Sequence, residues 1–285
     1  QWYYHLSTKK RVIANDIITD NNDDVYVTGI FLDSLSYRGN FILKGDANIP
    51  YAFLIKLDQN GQFIWARQFT TNNAVTAKNL SIGIQNEVII SGNFIDNADF
   101  GNGFTTSSPD NNDIFIIRLD SNGNTLFVKT IGGIDHDYVS QHISDKRGNI
   151  YLTGDFRSNL PLKINGVDTI LIPKGLTDIL LIKMNENGDI KLARSYGGSG
   201  VDAGASLALD NKRNIILTGK YSQTVSFGAS TSTLQSNGGT DIYLVKIDST
   251  GKTIWANSYG DTQNDAGLKV IVNKKDVIFL TGTFR

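Results

Sequence analysis

The 285-residue sequence contains no cysteine, one methionine and three histidines. The absence of cysteine excludes disulfide bonds, thiolate metal sites and cysteine nucleophiles. The histidines, His5, His136 and His142, occupy unrelated positions, so no Ser–His–Asp constellation follows from their spacing. HExxH, P-loop and GxSxG patterns are also absent. The sequence therefore predicts no catalytic residues.

The sequence also has no excess of charge of either sign, because 27 Lys and Arg residues against 28 Asp and Glu residues give a net charge of −1. The scattered basic residues form no stripe for a phosphate backbone, so no nucleic-acid partner is predicted. No apolar run is long enough to cross a bilayer as a helix. The first residue, Gln1, suits a mature end left after removal of a signal peptide, which would imply export. An arbitrary boundary accounts for Gln1 equally well.

What the sequence does contain is one internal repeat. Trp2, Trp65 and Trp255 occupy the same phase of it, and Phe127 and Leu192 fill the two intermediate slots. A glycine keeps the same period with spacings of 63, 62, 65 and 63 residues, at Gly29, Gly92, Gly154, Gly219 and Gly282. A fixed period of this length indicates a repeat protein whose units stack on their neighbours.

Each repeat holds four strand-like runs rich in β-branched and aromatic residues. The first run is predicted at Asn15–Thr19, Lys78–Ile82, Ser140–Ser144, Ala205–Leu209 and Leu268–Val272. The second run carries the glycine, the third resembles DIYLVKID, and the fourth holds the Trp slot. The third and fourth runs are joined by DQNG, DSNG, NENG or DSTG, in which glycine suits a tight hairpin turn. Consecutive strands are therefore predicted to be antiparallel.

The second and third runs are apolar on both faces, as Ile242 and Leu244 alternate with Tyr243 and Val245. A sheet with one solvated face would instead alternate apolar and polar residues. Four-stranded antiparallel sheets buried on both faces and repeated along the chain are typical of β-propeller blades. The fold class predicted is therefore all-β, a β-propeller forming a single domain over residues 1–285.

Counting strands predicts five blades. Four complete repeats span about 10–69, 73–131, 137–197 and 202–260, and a composite last blade combines 265–285 with the N-terminal strand at 1–6. A larger ring cut short is the alternative, disfavoured because it would expose two apolar faces. The third strand of the last blade is missing. Either that blade has three strands, or residues after Arg285 or another chain supply the strand.

The segments GGSGVDAGASLALDNKRNIILTG and TDIYLVKIDSTGKTIWANSYG resemble the SBBP β-propeller repeats of bacteria. The likeness covers almost the whole chain, and the first two repeats depart from it where Val12 and Val75 replace the later Asp137, Asp202 and Asp265. The resemblance implies an exported bacterial protein, extracellular or at the cell surface, and no particular activity.

Two surfaces are candidate sites. A ring of polar residues in the first strands is expected to line a central channel, at Asp16, Asn79, Gln141, Ser206 and Lys269. A solvated tunnel explains this ring better than a ligand site does. The long connections between second and third strands are the usual place for recognition and carry exposed-looking aromatics, at Tyr37, Phe41, Phe104 and Phe227. These aromatics could equally cover blade edges.

No cofactor is predicted, although calcium would suit the oxygen-rich runs 20–24, 96–99 and 110–113, for which turn chemistry is an equal explanation. The leading hypothesis is a non-catalytic scaffold that binds another protein or a surface glycan through its variable connections. The alternative is a propeller enzyme, a hydrolase or lyase acting on polysaccharide at the channel mouth. Convergent acids with raised pKa values would favour the enzyme.

Overall fold

A computed structural model describes residues 5–228 and 233–285, without the side chains of residues 109 and 110. Every regular element in these ranges is a β-strand, and none of the described residues forms a helix able to span a membrane. The chain divides into two compact units, one formed by residues 1–132 and 144–148 and the other by 133–143 and 149–285. Trp2 and the N-terminal strand predicted around it lie outside the described residues.

The first unit contains two four-stranded antiparallel sheets in which each strand pairs with the next strand of its repeat. The first repeat consists of β2 (Val12–Thr19), β3 (Val25–Phe31), β6 (Tyr51–Leu57) and β7 (Phe63–Thr71). The second consists of β8 (Ala74–Ile82), β9 (Val88–Asp99), β10 (Thr105–Leu119) and β11 (Thr125–Ile131). A short pairing between β7 and β9 joins the two sheets.

The first repeat also carries a small three-stranded sheet, formed by β1 (Leu6–Ser7), β4 (Ser34–Tyr37) and β5 (Asn40–Lys44). Leu35 from this sheet is buried against Phe53, Ile55 and Leu57 and so covers one face of the repeat. Leu6, the last residue of the predicted closing strand at 1–6, pairs with Tyr37 in this sheet.

The second unit repeats the same strand order. The third repeat consists of β12 (Asp137–Ser144), β13 (Ile150–Phe156), β16 (Asp178–Met184) and β17 (Ile190–Tyr196), with a hairpin of β14 (Leu160–Ile164) and β15 (Val167–Leu171). The fourth consists of β18 (Ala203–Leu209), β19 (Ile215–Val225), β20 (Leu234–Ile247) and β21 (Thr253–Tyr259). A two-stranded sheet of β22 (Ala266–Val272) and β23 (Ile278–Thr283) follows.

Apolar residues on both faces of the sheets allow neighbouring repeats to pack together. Tyr26 of the first repeat shares a buried cluster with Val75 and Phe115 of the second. In the second unit, Tyr151 of the third repeat clusters with Tyr243 of the fourth. The prediction that the second and third strands are buried on both faces is confirmed for the four complete repeats, and within each unit the two complete repeats pack against each other.

The periodic glycines mark the place where the first strand passes closest to the second. A Cβ atom on Gly29 would lie 1.9 Å from the carbonyl oxygen of Ile13, and one on Gly154 would lie 1.8 Å from that of Tyr138. Only glycine fits such a close backbone approach. In the first repeat a β-bulge follows at once, between Ala14 and Asp16.

The turns between third and fourth strands are built as the sequence predicts. The side chain of Asp58 accepts hydrogen bonds from the N–H groups of Asn60 and Gln62, and Gly61 has a φ of 73°. Equivalent turns follow Asp120, Asn185 and Asp248. The carboxylates that recur here are therefore occupied by backbone capping.

Candidate functional site

Three of the five residues of the predicted polar ring accept hydrogen bonds from the main chain of the following repeat. The N–H group of Leu80 donates to Asp16 Oδ2 at 2.7 Å, although 64 residues separate them. In the second unit, the N–H of Leu207 donates to Gln141 Oε1 at 2.9 Å, and that of Val270 donates to Ser206 Oγ at 3.1 Å. In all three cases the donor directly follows the polar position of the next repeat.

These hydrogen bonds satisfy an open sheet edge. The first strand of each repeat pairs only with the second strand, so alternate N–H and C=O groups on its other side lack a partner within the sheet. The side chain of the preceding repeat supplies that partner. Asn15 satisfies a carbonyl group of this edge instead of an N–H group, since its Nδ2 donates to the carbonyl of Ala77 at 2.7 Å. We call these contacts inter-repeat bridges.

Burial within the ring is uneven. Ser206 is 1% exposed, Asp16, Asn79 and Gln141 are half-buried, and Lys269 is exposed. For Asp16, Gln141 and Ser206 the bridge explains why the position is polar without any ligand. The channel itself stays a prediction.

The aromatic residues of the variable connections differ in burial. The expectation that they are exposed is wrong for Tyr37, whose hydroxyl donates to the carbonyl of Gly61, and for Phe227, which packs against Tyr196 and Tyr243. Phe104 is half-buried against the core of the first unit. Phe41 alone among the four is fully exposed, at 72%. The connections are also less irregular than expected, because β4–β5 and β14–β15 form hairpins and the β9–β10 and β19–β20 strands extend into them.

Phe41 lies on an apolar surface of the first unit. The hairpin turn has positive φ angles at Arg38 (48°) and Gly39 (82°), as in the two-residue turns that favour hairpins. Beside it is an open cavity of about 420 Å³ lined by Ser34 and residues Phe41, Ile42, Leu43 and Lys44. An exposed aromatic residue next to an apolar depression is typical of a protein-binding surface. We call residues 34–44 the β4–β5 hairpin.

Buried aspartates form pairs at the repeat junctions of the second unit. Asp178 accepts hydrogen bonds from the N–H of Lys174 and the hydroxyl of Ser195, while Asp202 accepts from the N–H groups of Gly198 and Ser222. Asp241 and Asp265 repeat the arrangement around Gly260, where a Cβ would lie 2.7 Å from both Asp241 Cγ and Asp265 Oδ2. The sequence did show an Asp at the same position of the later repeats, at Asp202 and Asp265. It did not predict that each of these would lie close to a second aspartate.

The environments of Asp202, Asp241 and Asp113 disfavour the charged form of these carboxyl groups. Burial, together with the nearby Asp178 carboxylate, raises the pKa of Asp202 to about 7. Burial likewise raises the pKa of Asp113 to about 6 and, together with Asp265, raises the pKa of Asp241. Convergent acids of this kind were expected to favour an enzyme. Asp178, Asp202 and Asp241 have no exposed surface, however, and they cap backbone N–H groups, so they fit a structural role.

The oxygen-rich runs considered for calcium have partners of their own. Asp20 Oδ1 accepts from the N–H groups of Asn22 and Asp24, and the Asp24 carboxylate pairs with Lys56 Nζ at 2.9 Å. Asp99 accepts from the N–H of Gly101. The side chain of Asp110 lies outside the described residues. Among those described, no group of three or more His, Asp or Glu side chains is arranged to hold a metal ion.

Other polar residues also serve the fold. His142 is buried, as expected for a core histidine. In the second repeat Gly83 stands where the first has Asp20, and the carboxylate that caps the turn comes from Glu87 instead. Glu87 accepts a hydrogen bond from the N–H of Gln85 and forms an ion pair with buried Arg118. Sequence reasoning missed this substitution.

Comparison with known proteins is consistent with this repeat architecture. No family model matches the chain. The chain is similar to the uncharacterized WD repeat-containing protein L264 of Acanthamoeba polyphaga mimivirus, with 23% identity over 346 aligned residues. The alignment covers all of this chain and 25% of that protein, so the chain spans about a quarter of the length of the relative it matches.

Proposed function

We propose that this chain is a β-propeller that acts as a protein-binding scaffold, with the β4–β5 hairpin as its contact surface. Two features support the propeller, namely the recurring four-stranded sheets packed on their neighbours within each unit and the similarity to a WD repeat protein. Five blades remain the number proposed from the repeat count. Closure of the last blade by the N-terminal strand predicted at 1–6 remains part of that proposal.

The observation that carries the binding role is the exposure of Phe41 beside an apolar cavity on the β4–β5 hairpin. The polar positions that recur in the repeats are occupied by turns, junction caps and inter-repeat bridges, whereas Phe41 serves no such structural purpose. A large aromatic side chain that enters a partner's pocket is a common source of binding energy. Kinship with the SBBP repeats, export and a cell-surface location are proposed on the sequence resemblance alone, and the viral relative does not bear on them.

Peptide display tests the surface without a known partner. Ligands are selected from a library of random 12-residue peptides against the 285-residue chain, and their affinities are then measured for Phe41→Ser. We expect selected ligands to bind Phe41→Ser at least about tenfold more weakly, because loss of a buried aromatic anchor costs 2 kcal/mol or more.

The matched control is Ile172→Ser, which removes an exposed apolar residue from the equivalent connection of the third repeat. Binding unchanged in the control and weakened in Phe41→Ser would support the β4–β5 hairpin. Ligands that bind both variants as tightly as the natural chain would refute it.

A further inference from the structure

A polar cavity lies where the first and second repeats of the first unit meet. The ends of β7 and β9 form part of its wall and pair through Thr70 and Asp99. Asp99 also pairs with Thr105 at the start of β10, and Tyr51 at the start of β6 lines the cavity as well. The cavity is open, has a volume of about 260 Å³, and is lined by residues that include Tyr51, Thr70, Asn72, Asn97, Asp99 and Thr105. We call it the β7–β9 pocket.

Hydrogen bonds hold the main chain of this wall together. The N–H group of Asn72 donates to the carbonyl of Asn97 at 3.3 Å, and the hydroxyl of Thr71 donates to the carbonyl of Ile95. The N–H of Gly101 donates to Asp99 Oδ1 at 2.8 Å. The pocket is therefore formed by the chain's own contacts, which lowers the cost of ordering it around a ligand.

The polar side chains of the pocket are not used by the fold. Five of them make no side-chain hydrogen bond with another described residue, namely Tyr51, Thr70, Asn72, Asn97 and Thr105. Asp99 uses only Oδ1 in this way. The Asp and Asn residues of the hairpin turns differ, because their side chains cap backbone N–H groups. Unused donors and acceptors that converge on one cavity are available to a ligand.

Tyr51 adds an aromatic ring to this polar set. The ring packs edge to face on Phe31, with centroids 6.1 Å apart and an interplanar angle of 75°. Gly45 lies so close that a Cβ atom there would be 2.8 Å from Tyr51 Cδ2. A tyrosine combines an apolar ring with a polar tip, so it can pack against C–H groups and also form a hydrogen bond.

Charge and size narrow the class of ligand. Among the residues that line the pocket, all of them described, Asp99 is the one charged residue, and none is basic. Phosphates and other anions are therefore disfavoured. The volume is below the roughly 300–1,000 Å³ of sites for drug-sized ligands, so the pocket suits a single small ring. A ligand that matches this wall is neutral, carries several hydroxyl groups and has one face of C–H groups.

We propose that the β7–β9 pocket binds one neutral hexopyranose unit of a glycan. The C–H face of the sugar packs on the Tyr51 ring. Its hydroxyl groups donate to Asp99 Oδ2 and exchange hydrogen bonds with the amides of Asn72 and Asn97. The remainder of the glycan leaves through the open mouth of the cavity. The inference uses no residue of the β4–β5 hairpin, so the two proposals fail separately.

NMR titration of the isotopically labelled 285-residue chain tests the site. The probes are the methyl α- and β-glycosides of glucose, galactose and mannose, in which the methyl group stands for the rest of the glycan. We expect at least one probe to bind with a Kd of about 1 mM, as a ligand of about 13 non-hydrogen atoms does at ordinary ligand efficiency. The shifted amides should cluster at residues 51, 70–72, 97–99 and 105.

Two variants test the named contacts. Asn97→Ala removes an exposed amide that makes no side-chain hydrogen bond in the described part of the chain, and Asp99→Asn removes the charge but keeps an oxygen for the N–H of Gly101. Each should weaken the best probe about tenfold. The matched control is Asn73→Ala, an exposed asparagine of the same connection that does not line the pocket, and it should bind normally. Amide spectra that match the natural chain outside the pocket show that the variants are folded.

Inorganic phosphate is the contrasting probe and should leave the amides of the pocket unshifted. Any one of four results would overturn the proposal. These are no binding of any methyl glycoside, shifts that lie outside the pocket, normal affinity in both Asn97→Ala and Asp99→Asn, and binding of phosphate in the pocket. Binding of free hexoses with rejection of every methyl glycoside would overturn the assignment to a glycan.

Discussion

Replacement of Ser206 by alanine tests the inter-repeat bridges. Ser206 Oγ accepts the N–H group of Val270 at 3.1 Å, and both residues are 1% exposed. The substitution removes only the oxygen atom, so it creates a very small cavity and leaves a buried N–H group without an acceptor. An unsatisfied buried donor costs about 1–3 kcal/mol, which is more than the net value of an average hydrogen bond.

Differential scanning calorimetry and urea titration of Ser206→Ala measure this cost. A loss of about 1–3 kcal/mol corresponds to a fall in Tm of roughly 2–10 °C for a chain of this size. The matched control is Lys269→Ala, which alters the same repeat position in the last sheet, where the side chain is exposed. We expect the control to lie within about 0.5 kcal/mol of the natural chain. Equal stabilities for the two variants would refute the bridge as the reason for a polar residue at this position.

Three further predictions concern stability. Gly154→Ala should destabilise by about 3 kcal/mol in a urea titration, because its Cβ would lie 1.8 Å from the Tyr138 carbonyl oxygen and the two strands must separate. Arg118→Met should lower the free energy of unfolding by about 3–5 kcal/mol, because it leaves the Glu87 carboxylate buried without its ion-pair partner. Adding Glu87→Gln should restore part of this stability, and an unchanged urea midpoint in Arg118→Met would contradict the prediction. Because the pKa of Asp202 is raised to about 7, the folded state holds more protons than the unfolded state between pH 4 and 7, so unfolding free energy should fall as pH rises through that range. Asp202→Asn should flatten this pH dependence by up to about 2.7 kcal/mol between pH 5 and pH 8, measured as urea midpoints at these two pH values.

The strands and turns could be predicted because their signals are local. Alternating apolar residues, the glycine at the close approach to the first strand and the Asp or Asn before each turn act within one repeat. Asp58 illustrates this, since its partners Asn60 and Gln62 are two and four residues away.

The role of the polar ring could not be predicted in the same way. Asp16 and Leu80 are 64 residues apart, and their contact depends on how two sheets stack. A polar residue that faces an open strand edge looks the same in sequence as one that faces solvent. The sequence therefore located Asp16, Gln141 and Ser206 correctly as a polar set but did not show what they bind.

The exposure of the aromatic residues in the connections could not be predicted for a related reason. A connection that folds back as a hairpin adds its large side chains to the core, as Tyr37 does by bonding Gly61. Phe41 differs from Tyr37 only in which face of the same hairpin it occupies. The face is set by the register of β4 and β5, which the sequence pattern does not reveal.

The inter-repeat bridges are the contacts by which the first, third and fourth repeats satisfy main-chain N–H groups on the first strand of the next repeat. Amide hydrogen exchange, followed residue by residue in the natural chain by NMR, tests this at the N–H groups of Leu80, Leu207 and Val270. We predict slow exchange at all three, although each lies on a strand edge without a neighbouring strand in its sheet, and faster exchange at Leu80 alone in Asp16→Ala. Exchange at all three as fast as that of an unprotected amide would show that these side chains do not join the repeats.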